Sequence, residues 1–163
     1  MGMTAPERPP GATRVALFID HDVLRQSVRA ALQAVPELEV VGGDDDRHRL
    51  HSGAPSPEAE VIVLDGSVPG PSGAASVRAL RRDFPRARLV LLSVHEDAAH
   101  VWRALEEGAV GYVLADWAGK DLAVAVEAVR HDRVFVSPRL RWTVAKALRV
   151  GQAGQQNHRD GPA

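Results

Sequence analysis

The sequence predicts an α/β domain in which five parallel strands form a doubly wound sheet, followed by an extra C-terminal helix. The first observation is a set of five short runs that are almost entirely apolar, which is typical of strands buried on both faces. The second is that the segments between these runs carry apolar residues at intervals of three and four, as amphipathic helices do. Because strand and helix alternate, we expect parallel strand pairing with helices on both faces of the sheet.

Each predicted strand is a short apolar run with few polar side chains. The first reads VALFI and the third reads VIVL. The complete set covers residues 15–19, 38–41, 61–64, 89–92 and 110–114. Runs of this length fit strands better than helices, which need about ten residues or more.

The predicted helices lie between the strands, and several of them end at a residue that breaks a helix. The apolar spacing covers residues 24–35, 77–84, 98–107 and 122–129. Prolines end the first two, and Gly108 fits the C-terminal cap of the third. The segment after the second strand is rich in glycine and proline, so it leaves room only for a short helix over residues 45–51.

Composition limits the function classes open to the chain. With 163 residues it has the length of one ordinary domain and some spare chain. The formal net charge of −1 does not favour a nucleic-acid surface, and no cysteine is present for a disulfide, a thiolate nucleophile or a cysteine zinc site. No apolar run approaches the roughly 18 residues of a membrane helix. The sequence therefore predicts a cytoplasmic protein without a membrane partner.

The two ends of the chain differ in composition from its middle. Residues 1–13 and 151–163 lack apolar periodicity and are predicted to be a disordered leader and a disordered tail. Residues 14–137 form the predicted domain, and residues 138–150 form a basic, linker-like helix. The apolar positions on one face of this helix are Leu140, Val144 and Leu148. We expect this face to dock on the domain or on a partner chain, and the pattern does not favour direct DNA binding.

Functional residues of a doubly wound sheet gather at the carboxyl ends of its strands. The residues directly after four of the predicted strands are Asp20, Asp65, Ser93 and Ala115. Two carboxylates in one crevice can hold a hard cation such as Mg²⁺, and one of them can accept a phosphoryl group as a nucleophile. Ser93 can donate a hydrogen bond to a phosphoryl oxygen. The pattern therefore predicts a phosphoryl-acceptor site, with helix capping as the plainer interpretation of Asp20.

Five segments between residues 14 and 138 form an ordered set. They are RVALFIDHDVLRQSVRAALQAVPELEVVG, VIVLDGSVPGPSG, LVLLSVHED, ALEEGAVGYVLAD and FVSP. In this order and spacing they resemble response-regulator receivers, in particular those of the NarL/FixJ type. The first resembles the family's opening, the second its acceptor motif, the third the strand with the switch hydroxyl, and the fourth its last strand.

The resemblance implies a flavodoxin-like receiver fold and gives roles to individual residues. Asp65 matches the phosphoacceptor, and Asp20 and Asp65 match acids that hold Mg²⁺, with the carbonyl of Ser67 as a further ligand. Ser93 and Tyr112 match the hydroxyl and the aromatic residue of the family's switch. The implied cofactor is therefore Mg²⁺.

The chain departs from the family at two positions of the site. Ile19 stands where the family has the first of two adjacent acids, and Ala115 stands where it has a lysine. We therefore expect weak Mg²⁺ binding, and a phosphoryl group on Asp65 would lack a charge-assisted contact that is worth about 1.5–3 kcal/mol. Lys120 lies five residues further on, too far along to be the expected substitute. The family's regulators also continue into a helix-turn-helix domain, for which the sequence leaves no room.

These features favour an atypical stand-alone receiver that is not an enzyme and acts in signal transduction and transcriptional regulation through protein contact. Phosphorylation at Asp65 is expected to be impaired or absent. The expected partner is a sensor histidine kinase or a regulatory protein, and a homodimer stays open. By resemblance, the interface candidates are Val101, Trp102 and Leu105, with Tyr112 beside them.

Three alternatives stay open at this point. In the first, Asp65 is a working phosphoacceptor with weak Mg²⁺ binding. In the second, a small ligand enters the crevice that Ile19 and Ala115 make more apolar and regulates a pseudo-receiver. In the third, the chain is a regulator that has lost its output domain and is inert. A metal site at His48 and His51 is less favoured than a solvated, mixed-charge segment.

Overall fold

The computed structural model describes residues 11–41, 59–66 and 72–156. The predicted short helix over residues 45–51 and the carbonyl of Ser67 lie outside this part of the chain. Residues 1–10 of the predicted leader and residues 157–163 of the predicted tail lie outside it as well.

The strands form one sheet in which every neighbouring pair is parallel. They are β1 (Thr13–Phe18), β2 (Leu38–Val41), β3 (Val61–Asp65), β4 (Arg88–Ser93), β5 (Gly111–Leu114) and β6 (Phe135–Val136). Their order across the sheet is β2-β1-β3-β4-β5-β6. The predicted fold class is confirmed, and the predicted count of five strands is corrected to six. The sixth strand has two residues, which is too short for an apolar run to reveal.

The helices occupy the intervals between the strands. They are α1 (Asp22–Gln33), α2 (Ser72–Asp83), α3 (Ala98–Glu106), α4 (Ala118–Arg130) and α5 (Pro138–Gln156), with a 3₁₀ turn at Ala115–Trp117. Two predicted boundaries are corrected. Thr13 belongs to β1 instead of the leader, and α5 continues six residues beyond its predicted end at residue 150. A glycine at position 151 lowers helix stability by about 1 kcal/mol without stopping a helix, which explains the second difference.

Side chains alternate between the two faces of the sheet, and each face has its own hydrophobic core. Along β1, Val15 and Leu17 point to one face while Ala16 and Phe18 point to the other. Helices α1 and α4 cover the first face through Val28, Leu32, Leu122 and Val126. Helices α2, α3 and α5 cover the second through Val77, Leu80, Val101, Ala104 and Leu140. The C-terminal helix is therefore part of the folded layer on one face.

Within the described residues, no helix combines the length and the apolar character that crossing a bilayer requires.

Candidate functional site

The predicted site residues lie at one edge of the sheet because β1, β3 and β4 are adjacent and parallel. Asp65 is the last residue of β3, Ser93 is the last residue of β4, and Asp20 follows β1 by two residues. Asp65 is almost entirely buried, with 4% of its surface exposed, whereas Asp20 is partly buried. The edge therefore holds two carboxylates and a hydroxyl, as the order of the segments predicts.

The backbone around Asp65 is held by the neighbouring strand. Asp65 pairs in register with Leu92, and the N–H of Gly66 donates to the carbonyl of Leu92 at 2.7 Å. A Cβ at Gly66 would lie 3.0 Å from that same oxygen, so the two chains approach closely there. Asp65 is therefore presented from a rigid strand end and not from a loose loop.

The position before Asp20 belongs to the core. Ile19 is 1% exposed and packs in the hydrophobic cluster beneath α1 and α4. His21 occupies the N-cap of α1, and its side chain makes no capping hydrogen bond. The interpretation of Asp20 as the helix cap is therefore wrong, since the cap falls one residue later.

Arg25 brings a positive charge to the end of β1, which the sequence reading did not anticipate. Its Nη1 donates to the carbonyl of Ile19 at 3.2 Å, and its Nη2 lies 2.6 Å from Oδ1 of Asp22. The side chain of Arg25 is 11% exposed. The spacing of three between Asp22 and Arg25 indicates a helical ion pair, but it gives no sign of the contact with Ile19.

The residue after β5 is Ala115, at the position where the family has a lysine, and it begins a tight turn. Ala115 begins the 3₁₀ turn, and Lys120 is exposed on the first turn of α4. The Nζ of Lys120 lies 5.2 Å from the centroid of the Trp117 ring, and the guanidinium of Arg139 lies 4.9 Å from it. Lys120 is thus engaged in a cation–π contact, which stabilises an exposed site by about 0.5–1 kcal/mol.

The end of β5 is tied to two helices through Ser137, which is fully buried. Its hydroxyl accepts from the N–H of Leu114 at 3.1 Å and donates to Oδ2 of Asp121 at 2.7 Å. Its carbonyl accepts from the N–H of Leu140 at 2.8 Å in the first turn of α5. The serine of the FVSP segment therefore connects β5, α4 and α5.

Ser93 and Tyr112, the two predicted switch residues, both contact the backbone of His95. The N–H of His95 donates to Oγ of Ser93 at 3.1 Å, and the hydroxyl of Tyr112 donates to the carbonyl of His95 at 2.9 Å. The ring of Tyr112 is fully buried. Burial raises the pKa of this phenol above its ordinary value of 10.0, a hydrogen bond with Ser93 lowers it, and the Asp97 carboxylate raises it. The two residues thus hold the loop after β4 from both sides.

That loop carries a cluster of polar side chains that the sequence reading did not single out. Asp97 is the N-cap of α3, and its Oδ1 accepts from the N–H of His100 at 3.0 Å. Its Oδ2 lies 2.6 Å from Nδ1 of His100, and the two contacts hold the pKa of Asp97 below its usual range. The rings of His95 and His100 stack with centroids 3.9 Å apart.

The family model for the response regulator receiver domain matches residues 15–127, which is more than half of the chain. The chain belongs to the response regulator receiver domain family. The predicted family is therefore confirmed.

A curated relative of this receiver is the nitrate/nitrite response regulator protein NarL of Escherichia coli strain K12. The two are 30% identical over 139 residues, which is 85% of this chain and 64% of NarL. The receiver therefore spans less than two thirds of the length of that relative.

Two solved structures resemble this receiver closely in shape. One is a two-component response regulator of the LuxR family from Aurantimonas sp. SI85-9A1, 27% identical, with a TM-score of 0.71 over 83% of this chain and 97% of that one. The other is RcsB, described as two dimers bound to two parallel DNAs. It is 25% identical, with a TM-score of 0.72 over 83% of this chain and 69% of that one.

The predicted interface candidates on α3 of this receiver do not form one exposed surface. Val101 is fully buried against the sheet, so its assignment as an interface residue is wrong. Trp102 and Leu105 are partly buried, and Leu105 packs with Val144 of α5 against the same core. Helix α5 lies beside α3 and covers part of this face. Apolar spacing marks the helix but does not separate residues that face the sheet from those that face a second helix.

Proposed function

We propose that this receiver works in two-component signalling mainly through protein contact, and that Asp65 is an impaired phosphoacceptor. The observation that carries the proposal is the combination of a preserved, buried Asp65 with apolar residues at the two supporting positions. Ile19 is packed in the core, and Ala115 has no group that could reach a phosphoryl oxygen.

The chemistry at Asp65 is a phosphoryl transfer. A carboxylate oxygen attacks phosphorus and forms an acyl phosphate, while the P–N bond of a phosphohistidine or the P–O bond of acetyl phosphate breaks. The imidazole or the acetate is the leaving group. Asp65 is rigidly placed for this attack, because its strand end is fixed to β4.

Mg²⁺ is the cofactor that this family implies, and the donor set fits it in part. Asp20 and Asp65 lie at the same strand edge and would hold the ion, with the Ser67 carbonyl as a further proposed ligand. When bound, Mg²⁺ offsets the charge repulsion between a carboxylate and an incoming phosphoryl group. A site with one acid fewer binds the ion more weakly, so we expect a requirement for high Mg²⁺ concentrations.

The experiment that tests this proposal is intact mass measurement after incubation with Mg²⁺ and acetyl phosphate. We expect a small adduct fraction in the wild type, none in Asp65→Asn, and a several-fold larger fraction in Ala115→Lys, where a cation is restored at a partly exposed position. A stoichiometric wild-type adduct would show that the site is not impaired. Failure of every variant to form an adduct would leave a pseudo-receiver governed by partner contact.

For the partner, we propose a second copy of this chain, in keeping with the dimers described for RcsB. The contact surface is the outer side of α3 and α5, where Trp102 is partly buried and Trp142 is 70% exposed. A large exposed aromatic side chain is a typical anchor of a protein interface. A sensor histidine kinase or a regulatory protein is the other expected partner, and the net charge of −1 gives no reason to assign DNA binding to the chain.

The ligand-regulated alternative places a small molecule between Ile19 and Ala115. A groove of about 460 Å³ does exist among the described residues, lined by Leu38, Ala123, Glu127 and others. It adjoins the first residue of β2, at the edge opposite the carboxyl ends of the strands. The groove therefore does not favour a ligand at Asp65, and a thermal-shift screen of metabolites is the direct test of this alternative.

A further inference from the structure

The loop between β4 and α3 carries three metal-ligating side chains in one place. His95, Asp97 and His100 can each offer one ligand atom, and these atoms lie within 4.8 Å of one another. Ligand atoms around a tetrahedral Zn²⁺ are about 3.3–3.6 Å apart, given metal–ligand distances of about 2.0–2.2 Å. The three atoms are therefore close enough to share one ion once the side chains rotate.

We propose that His95, Asp97 and His100 bind a divalent transition-metal ion of the Zn²⁺ class, and that occupancy of this site acts on Tyr112. Two imidazoles and one carboxylate leave one coordination position for water, which is the donor set of an open, exchangeable site. Imidazole nitrogen favours Zn²⁺, Ni²⁺ and Cu²⁺ over Mg²⁺. The ion would therefore differ from the one expected at Asp65, and this inference does not depend on phosphorylation.

The local structure prepares the three side chains for this role. Asp97 is fixed as the N-cap of α3 by its bond from the N–H of His100, which sets the direction of its carboxylate. The ring of His95 is parallel to that of His100 within 9°, with centroids 3.9 Å apart. Both rings therefore have to turn out of this stack before their in-plane nitrogen lone pairs can point to one ion. Since His95 and Asp97 are exposed, an ion can reach the cluster without opening the core.

The connection to Tyr112 runs through the backbone of His95. Its carbonyl accepts from the Tyr112 hydroxyl at 2.9 Å, and its N–H donates to Oγ of Ser93 at 3.1 Å. An ion that fixes the His95 side chain restrains this short segment and, with it, the buried position of the phenol. A ligand shifts a two-state element only through different affinities for the two states, and here the held loop would be the state with higher affinity. Ala115 stands where other receivers have a lysine. In this receiver the bound metal would favour one of the two conformational states, as phosphorylation does in other members of the family.

The test is a Zn²⁺ titration of the untagged full chain against a chromophoric chelator, with Mg²⁺ and Ni²⁺ in parallel. We expect one equivalent of Zn²⁺ to bind, Ni²⁺ to compete with it, and Mg²⁺ not to bind at the same concentrations. His95→Asn and His100→Asn should each weaken binding by tenfold or more. Circular dichroism of the variants checks that both are folded, which exposed positions permit.

Two matched controls make the result decisive. His131→Asn removes an exposed histidine that contacts Glu127 on α4, and the double variant His48→Asn/His51→Asn removes the pair in the segment after β2. Neither control should change the affinity. Absence of Zn²⁺ binding in the wild type, or loss of binding in a control variant instead of the His95 and His100 variants, would overturn the proposed site.

The effect on Tyr112 has its own readout because the chain contains a single tyrosine. The NMR signals of the isotope-labelled ring should shift when Zn²⁺ binds and should not respond to Mg²⁺ at the same concentration. The shift should disappear in His100→Asn. Zn²⁺ binding without any change in the Tyr112 signals would support the metal site and refute the proposed effect of the ion on Tyr112.

Discussion

Oδ2 of Asp121 accepts a 2.7 Å hydrogen bond from the hydroxyl of Ser137, and this hydroxyl also accepts from the N–H of Leu114. The serine is fully buried, whereas Asp121 is partly exposed. One hydroxyl thereby fixes the end of β5, the start of α4 and the start of α5 relative to each other.

Removing this hydroxyl should lower stability. Ser137→Ala leaves the N–H of Leu114 and the Asp121 carboxylate with one partner fewer, at a cost of about 1–3 kcal/mol. Denaturant unfolding of the wild type and the variant measures the difference in the free energy of unfolding. Ser27→Ala, on the exposed side of α1, is the matched control and should change it by less than about 0.5 kcal/mol. Equal stability of wild type and Ser137→Ala would show that the network contributes nothing.

The phenol of Tyr112 should titrate above its ordinary pKa of 10.0, because burial disfavours the phenolate. Because the pKa is raised in the folded state, the stabilisation by the neutral phenol is fully present at pH values below the pKa of the unfolded chain. This stabilisation is lost as the pH rises through the higher, folded value. Phenolate absorbance in the near ultraviolet follows this one tyrosine directly, with the urea-unfolded chain as the reference. A folded chain that titrates together with the unfolded one would contradict the burial of the hydroxyl.

Asp97 should stabilise α3 mainly as an N-cap. Asp97→Ala removes the acceptor for the N–H of His100 and should cost about 1 kcal/mol, whereas Asp97→Asn keeps a capping oxygen and should cost much less. Thermal unfolding in the presence of a chelator measures both without interference from metal. An equal loss in Asp97→Asn and Asp97→Ala would mean that the negative charge matters more than the cap, because both substitutions remove the charge and only Asp97→Ala removes the capping oxygen.

Gly111 is required by the close approach of β4 to β5. A Cβ at this position would lie 2.8 Å from Cγ2 of Val90, so Gly111→Ala must shift the buried valine or the strand. We expect a loss of roughly 1–3 kcal/mol, as for other overpacked cores. Gly119→Ala is the control, and it should increase the free energy of unfolding. A Cβ there meets nothing within 4 Å, and alanine stabilises a helix by up to about 1 kcal/mol relative to glycine. Urea unfolding of both variants gives the comparison, and a neutral Gly111→Ala would refute the crowding.

Trp142 should contribute to self-association and not to the stability of the fold, since 70% of its surface is exposed. Trp142→Glu is expected to lower the dimer fraction in concentration-dependent light scattering while leaving the melting temperature nearly unchanged. Val124→Glu, at an exposed position on α4 away from this surface, is the control. A wild type that stays monomeric at high concentration would exclude the second copy as the partner.

The fold followed from the sequence because apolar runs report burial on both faces, and burial on both faces is what a parallel sheet requires. The strand edge that carries Asp20, Asp65 and Ser93 followed from the same argument. Strand β6 did not, since Phe135 and Val136 form no recognisable run. Its presence depends on pairing with β5, a contact between residues distant along the chain.

Two features of the site were beyond the reach of sequence spacing. The burial of Val101 depends on which side of α3 meets the sheet and which meets α5, and helical periodicity alone does not decide this. The gathering of His95, Asp97 and His100 arises because the loop turns into α3 at Asp97 and brings two rings together. Their letters in the sequence, HEDAAH, match no common metal motif, so their proximity is visible only in the folded structure.

The packing of α5 has a consequence for competition. Pro138 begins the helix directly after the buried Ser137, so no flexible connection separates Leu140 from the face that it covers. The surface beneath Leu140 is therefore covered by a segment of the same chain. A partner that needs the surface beneath Leu140 therefore has to displace an intramolecular competitor. Its apparent affinity falls in proportion to the small fraction of molecules in which α5 is released.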